Sequence, residues 1–187
     1  MNTPRHRLFR ACGVFAAVGI VGAALAHAAE TAKPASSSDP VQQELKEIRD
    51  QLPSQSHTMM DVAYHFSNLW FAGQAGNWPL AEFLLNETKS HLRWAVRVRP
   101  LRPLSNGGKL DVGAMLAAVE QSTLKELTES IQAKDRPRFV TAYKQQLGSC
   151  YACHVAAEKP YLRLRIPDHP AETMIEFDPA KPGSPTP

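Results

Sequence analysis

Cysteine is scarce in this chain: three residues in 187, at positions 12, 150 and 153. No second cysteine pair accompanies Cys150 and Cys153, so a structural zinc site lacks the further ligands it needs. Apolar runs are short as well. The leading one, from Ala11 to Ala28, falls below the ~20 residues of a spanning helix. Charge excess is missing too. Twenty-one basic residues face 18 acidic ones, and the balance becomes even once the three arginines of the leader are set aside, so nucleic acid is not an expected partner. No segment alternates with period two, which predicts no sheet, and no internal repeat is visible.

The first 28 residues have the make-up of a cleaved export signal. Arg5, Arg7 and Arg10 precede the apolar run, and Ala26-His27-Ala28 supplies a small-x-small cleavage pattern. The arginines are not adjacent, so a twin-arginine route has no support. Cys12 stands at the start of the apolar run, the wrong place for a lipid-attachment cysteine. The expected location is the periplasm, with no stable membrane anchor after cleavage. Residues 29–55 read as a flexible Ala/Ser/Pro leader followed by a short amphipathic helix, in which Val41, Leu45, Ile48 and Leu52 form a stripe suited to docking on the chain's own domain or on a second copy.

Four longer helical patterns follow. The first spans about Ser56 to Ala75, with Met59, Val62, Phe66, Leu69 and Gly73 on one face. Gly76 and Asn77 close it and open the second, with Asn77 as N-cap and Pro79 in the first turn. That helix is expected to bury Leu80, Phe83, Leu84, His91, Trp94, Ala95 and Val98 and to stop at Pro100. After a loop over Leu101–Gly108, the third pattern runs from Leu110 to Ala133 through Val112, Met115, Val119, Leu124, Leu127 and Ile131. Asp135 caps the fourth, where Phe139, Tyr143, Leu147, Cys150 and His154 recur at helical spacing. The expected fold is all-α: an antiparallel up-down-up-down four-helix bundle over residues 56–159. A proline-rich extended tail completes the chain over residues 160–187, since seven prolines there forbid a helix.

Cys150-Tyr151-Ala152-Cys153-His154 is the Cys-x-x-Cys-His signature of covalent c-type haem attachment. On a helix, residues i and i+3 share a face, so both sulfurs can reach the two vinyl groups of one porphyrin. His154 is then placed to bind the iron. A thioredoxin-like dithiol would follow a strand and open a helix, whereas this pair closes one. Export agrees with the motif, since bacteria attach this haem outside the cytoplasm. One motif implies one haem c per chain.

A helical bundle with Cys150, Cys153 and His154 at the end of its last helix resembles the class II, cytochrome c′-type cytochromes, over about Ser56 to Lys159. The class I fold is excluded, because only 33 residues follow His154. The leader helix and the tail depart from the c′ pattern. The resemblance implies a monohaem protein, an apolar residue often opposite the iron, and pairing through the first two helices into a homodimer.

In such a bundle the end of the fourth helix neighbours the start of the first, the end of the second and the start of the third. Met59, on the buried stripe, is the first candidate for a distal iron ligand, and Met60 the second; a His/Met iron suits electron transfer. The alternative is that Met59 merely packs, leaving a sixth site open to NO or CO. His57 is a weaker ligand candidate, His65 is expected to be exposed, and His169 and Met174 lie in the tail. Arg97 and Arg99, with Arg93 and Arg102 nearby, are possible partners of the haem propionates. Glu87 and His91 form an i,i+4 pair, and no second Glu-His pair is present to complete a di-metal site. The function expected is single-electron transfer between redox partner proteins, with gas binding as the alternative. Peroxidase-like catalysis would need a polar distal group, for which His57, Asp61 and His91 are the only candidates, and none falls on the stripe.

Overall fold

Capping side chains set where the helices begin. A computed structural model describes residues 38–171 and 174–181. In chain order its elements are α1 (Ser38–Gln51), α2 (Gln55–Ala75), α3 (Trp78–Val98), β1 (Leu101–Pro103), β2 (Lys109–Asp111), α4 (Val112–Glu120), α5 (Thr123–Gln132) and α6 (Arg136–Ala156). The expected export signal, Cys12, residues 29–37 and the last six residues lie outside the described residues. The chain divides into two units, Met1–Gln42 and Gln43–Pro187. Of the first, only the opening of α1 is described.

The described residues are mainly helical, and several helix starts follow the capping rule, though Ser122 before α5 makes no such bond. Ser54 accepts from His57 N, Asn77 from Leu80 N, and Asp135 from Arg138 N, each satisfying a backbone donor that the first turn leaves open. Pro79 and Pro137 sit in first turns, where no intrahelical donor is needed. Gly76, at φ +70°, closes α2 in the left-handed conformation that glycine adopts without strain.

Two expectations fail here. The third helix is not continuous: Gln121 and Ser122 separate α4 from α5, and Ser122 has φ −123° and ψ −98°. The Ser122 hydroxyl donates to Ala118 O at 2.7 Å, the local competition by which serine weakens a helix. The segment read as a loop is also a small hairpin, with Leu101 opposite Asp111, Arg102 opposite Leu110 and Pro103 opposite Lys109. Its turn uses Gly107 at φ +82°.

The core is built by α2, α3, α5 and α6: Phe66, Leu69, Ala72, Ala81, Leu84, Leu85, Leu124, Leu127, Ile131, Phe139, Ala142 and Tyr143. Phe66 stacks on Tyr143 at 4.4 Å, and the Tyr143 hydroxyl donates to Phe66 O at 2.9 Å. Trp70 packs on Phe139 and Tyr143, and Gly73 lies against the Phe139 ring. Residue numbers fall along α2 as they rise along α6, so the two helices run antiparallel. Arg138 ties α5 to α6 through Glu126 and Glu129, both at 2.7 Å.

On α3 the buried face is Ala81, Leu84, Leu85, Thr88 and Ala95. Phe83 and Trp94, expected inside, are 55% and 38% exposed. The α1 stripe of Val41, Leu45, Ile48 and Leu52 is exposed too. Beyond α6 the described residues contain neither helix nor strand. They return along α2, where Ala171 N donates to Asn68 Oδ1 at 3.0 Å, Phe177 O accepts from Asn77 Nδ2 at 3.3 Å, and Phe177 packs on Phe71.

Candidate functional site

Cys150, Cys153 and His154 occupy the last two turns of α6, and all three are half-buried. Both cysteines are free thiols. Burial pushes the Cys150 thiol up; a hydrogen bond from Gln146 opposes this, and Cys153 adds to it. Burial raises Cys153 as well. Both thiols are therefore protonated at neutral pH. That is opposite to the activated cysteine of a disulfide exchanger, whose pKa is lowered.

Gln146, one turn before Cys150, is 2% exposed. Its Nε2 donates to Cys150 Sγ at 3.3 Å, and its Oε1 accepts from the Thr123 hydroxyl at 2.6 Å. Ser149 Oγ lies 3.1 Å from the same hydroxyl. The helix break at Ser122 thus brings Thr123, the first residue of α5, to the turn that carries Cys150. Sequence reasoning missed this chain, although Gln146 stands at helical spacing from both Tyr143 and Cys150.

His154 Nδ1 stands 3.4 Å from Leu162 O, at the long end of hydrogen bonding. If Nδ1 carries the proton toward that carbonyl, Nε2 is left as the free ligand atom. No side-chain pattern announces this contact, because the partner atom is backbone.

The packing changes along α6. Its fully buried residues, Phe139, Ala142, Tyr143 and Gln146, all precede Leu147; from there on every residue is half-buried or exposed. The same holds for α4. Its sequence VGAMLAAVE is apolar, yet none of its residues is fully buried. Thr123 sits beside Gln146 and Ser149, and α4, which precedes it, packs against α6. Carrying the pairing of Phe66 with Tyr143 two turns further sets Met59 at the level of Cys150. Met59 is half-buried, and Met60 is 59% exposed. Apolar side chains of α4 and of the end of α6 are thus left only half-covered.

The remaining candidates are elsewhere. Arg97 lies over the Trp94 ring at 5.5 Å, and Arg99 donates to Val98 O at 3.0 Å. Among the described contacts, none joins either arginine to Cys150 or His154. Arg93 pairs with Glu120 at 2.7 Å, and Arg102 donates to Gln55 Oε1 at 3.3 Å. His57 is exposed, His169 pairs with Asp168 at 2.6 Å, and Met174 is 88% exposed. His65, expected on the surface, is half-buried and stacks on His91. Among the described residues no helix is long and apolar enough to cross a membrane. No family model, no curated protein and no solved structure matches this chain.

Proposed function

We propose that this chain is an exported monohaem c-type cytochrome of the antiparallel four-helix-bundle kind, passing single electrons between redox partner proteins. The observation that carries the reading is the placing of Cys150-x-x-Cys153-His154 on the last turns of α6, beside apolar surface of α4 that no protein side chain fully buries. The donor set fits a haem c: two neutral thiols one turn apart for the vinyl groups, and an imidazole directly after them. When bound, that group supplies a one-electron iron couple.

The protein's own part is to hold and to shield. Cys150 and Cys153 would anchor the macrocycle on one helix face. His154 would bind iron through Nε2 while Leu162 O steadies Nδ1. Gln146 and Thr123 keep the Cys150 turn fixed. Met59 is the residue whose register supports distal ligation, and the half-buried Met115, Leu116 and Val119 of α4 offer apolar cover. Arg97 and Arg99 would reach propionates only by leaving their present partners. The reading with an open sixth site, binding NO or CO, draws its support from the apolar stripe around Met59, which places no acid–base side chain among Met59, Val62 and Phe66.

The optical spectrum of the reduced protein, produced in a host competent for haem attachment, tests both. Covalent haem absorbance is expected, and it is expected to be lost in the Cys150→Ser/Cys153→Ser variant. Its absence from the wild-type protein would overturn the reading. A spectrum unchanged by CO, together with a changed ferrous spectrum in Met59→Ala, supports electron transfer. A prompt CO shift in the wild-type protein moves the assignment to gas binding.

A further inference from the structure

Away from α6, on the side where α2 meets α3, two carboxylate–histidine pairs stand at i,i+4 spacing: Asp61 with His65 on α2, and Glu87 with His91 on α3. The first pair was not apparent as a partner of the second, because the sequence offers Asp rather than Glu and places His65 off the apolar stripe. The tight turn at Gly76 and Asn77 folds the two helices back on each other and brings the pairs level. Met59, Phe66, Trp70 and Gly73 use a different face of α2, so this cluster is separate from the Cys150 end.

One ligand atom from each of His65, Glu87 and His91 lies within 4.8 Å of the other two. His91 Nε2 is 3.8 Å from Glu87 Oε2, and His91 Nδ1 is 3.7 Å from Asp61 Oδ2. Neither distance is a hydrogen bond. The His65 and His91 rings are stacked, with centroids 5.1 Å apart. His65 Nδ1 is buried and has no hydrogen-bond partner. Asp61 and His91 also line an open groove of about 470 Å³, which gives access from solvent.

We propose that His65, Glu87 and His91 bind a divalent transition-metal ion of the zinc–copper class, with Asp61 orienting His91 from behind. Two imidazoles and a carboxylate are the donor set of open three-ligand zinc sites, and imidazole excludes magnesium and calcium as the natural occupants. Ligand atoms on one such ion stand about 3.3 Å apart at metal–ligand distances near 2 Å. Side-chain rotation closes the remaining gap, including a turn of one ring out of the stack. An ion there gives the orphaned His65 nitrogen a partner, and Asp61 at the second nitrogen of His91 has the place of the carboxylate that fixes a ligating imidazole.

The test is Zn²⁺ binding to the intact exported protein, stripped with a chelator and then titrated with zinc chloride by calorimetry. One ion per chain is expected. His65→Ala and His91→Ala should each weaken binding by more than about 100-fold, and Asp61→Asn by about 10- to 100-fold. Cys150→Ser/Cys153→Ser should leave it unchanged, which separates this site from the haem reading. Because an alanine variant could lose its fold, imidazole proton resonances of the wild-type protein supply a second readout. Zn²⁺ should shift those of His65 and His91 and spare His169. Stoichiometric binding that survives both histidine variants, binding abolished by the cysteine variants, absence of binding, or unshifted His65 and His91 resonances would each overturn the proposal.

Discussion

Glu158 joins two jobs in one residue. It is non-glycine at φ +59°, one of two such residues among those described, with Lys134, each standing just past the end of a helix. Lys159 N donates to His154 O at 2.8 Å and Glu158 N to Val155 O at 3.0 Å, the paired bonds of a left-handed helix ending. Glycine would adopt this conformation more easily. What the glutamate adds is its carboxylate, which accepts from Ser105 N at 2.9 Å and from the Ser105 hydroxyl, fastening the hairpin turn to the end of α6. Those bonds, the hydroxyl first, hold its pKa below the usual range. The contact is therefore complete above the ordinary carboxylate pKa and is lost as pH falls through the depressed folded value. Hydrogen exchange at Ser105 N should accelerate, relative to its intrinsic rate, in that acid window. Glu158→Gln should remove the pH dependence while keeping one acceptor oxygen. A Ser105 amide whose protection ignores both acid and the substitution would mean that Glu158 does not hold the turn. At this scale the Cys150-x-x-Cys153-His154 pattern was legible, because three residue types at one spacing make it. Its supports were not. Gln146 acts through a sulfur and a hydroxyl 23 residues away in sequence, and Leu162 acts through a carbonyl that every residue has.

Helix boundaries were legible because caps and prolines announce them. Asn77 and Asp135, expected as caps, stand where α3 and α6 start, and Pro100 follows the stop of α3; the Ser54 cap of α2 and the break at Ser122 were not read. The inward face of α3 was read only in part: Leu84 and Ala95 are buried as expected. A count of bulky apolar residues also favours Phe83 and Trp94, yet the places go to Ala81, Leu85 and Thr88, two of them small, where a closely packed neighbouring helix leaves little room. The hairpin escaped because each strand has three residues and only Arg102 and Leu110 are half-buried, too few for an alternation to show. Close approach also fixes Gly73. A methyl group there would collide with the Phe139 ring, which is itself fully buried. Gly73→Ala should destabilise the protein by about 1–3 kcal/mol, read as a lower thermal midpoint. Adding Phe139→Leu should return part of that loss, because the double change relieves the clash that each helix imposes on the other. Simple additivity of the two substitutions would show that α2 and α6 do not meet through this pair.

Among the described residues packing is uneven. One half holds the stacked aromatics, the buried aliphatics of α3 and α5 and the Arg138 ion pairs; at the other, α4 and the end of α6 keep apolar side chains only half covered. A bound macrocycle would supply the missing apolar surface, and removing its anchors should therefore loosen one half more than the other. Local openings report this directly, because a cooperative unit that loses its cover exchanges its amides sooner than a core that does not. In Cys150→Ser/Cys153→Ser, the amides of Met115 to Val119 and of Ser149 to Val155 should exchange about tenfold faster or more than in the haem-loaded protein. Those of Leu127 to Ile131 and of Phe139 to Tyr143 should change far less. Equal acceleration in both sets would mean that α4 and the end of α6 draw their order from the same core as the rest. No acceleration in either would mean that the half-covered apolar surface is stable by itself, and the case for a group seated against it would fall with it.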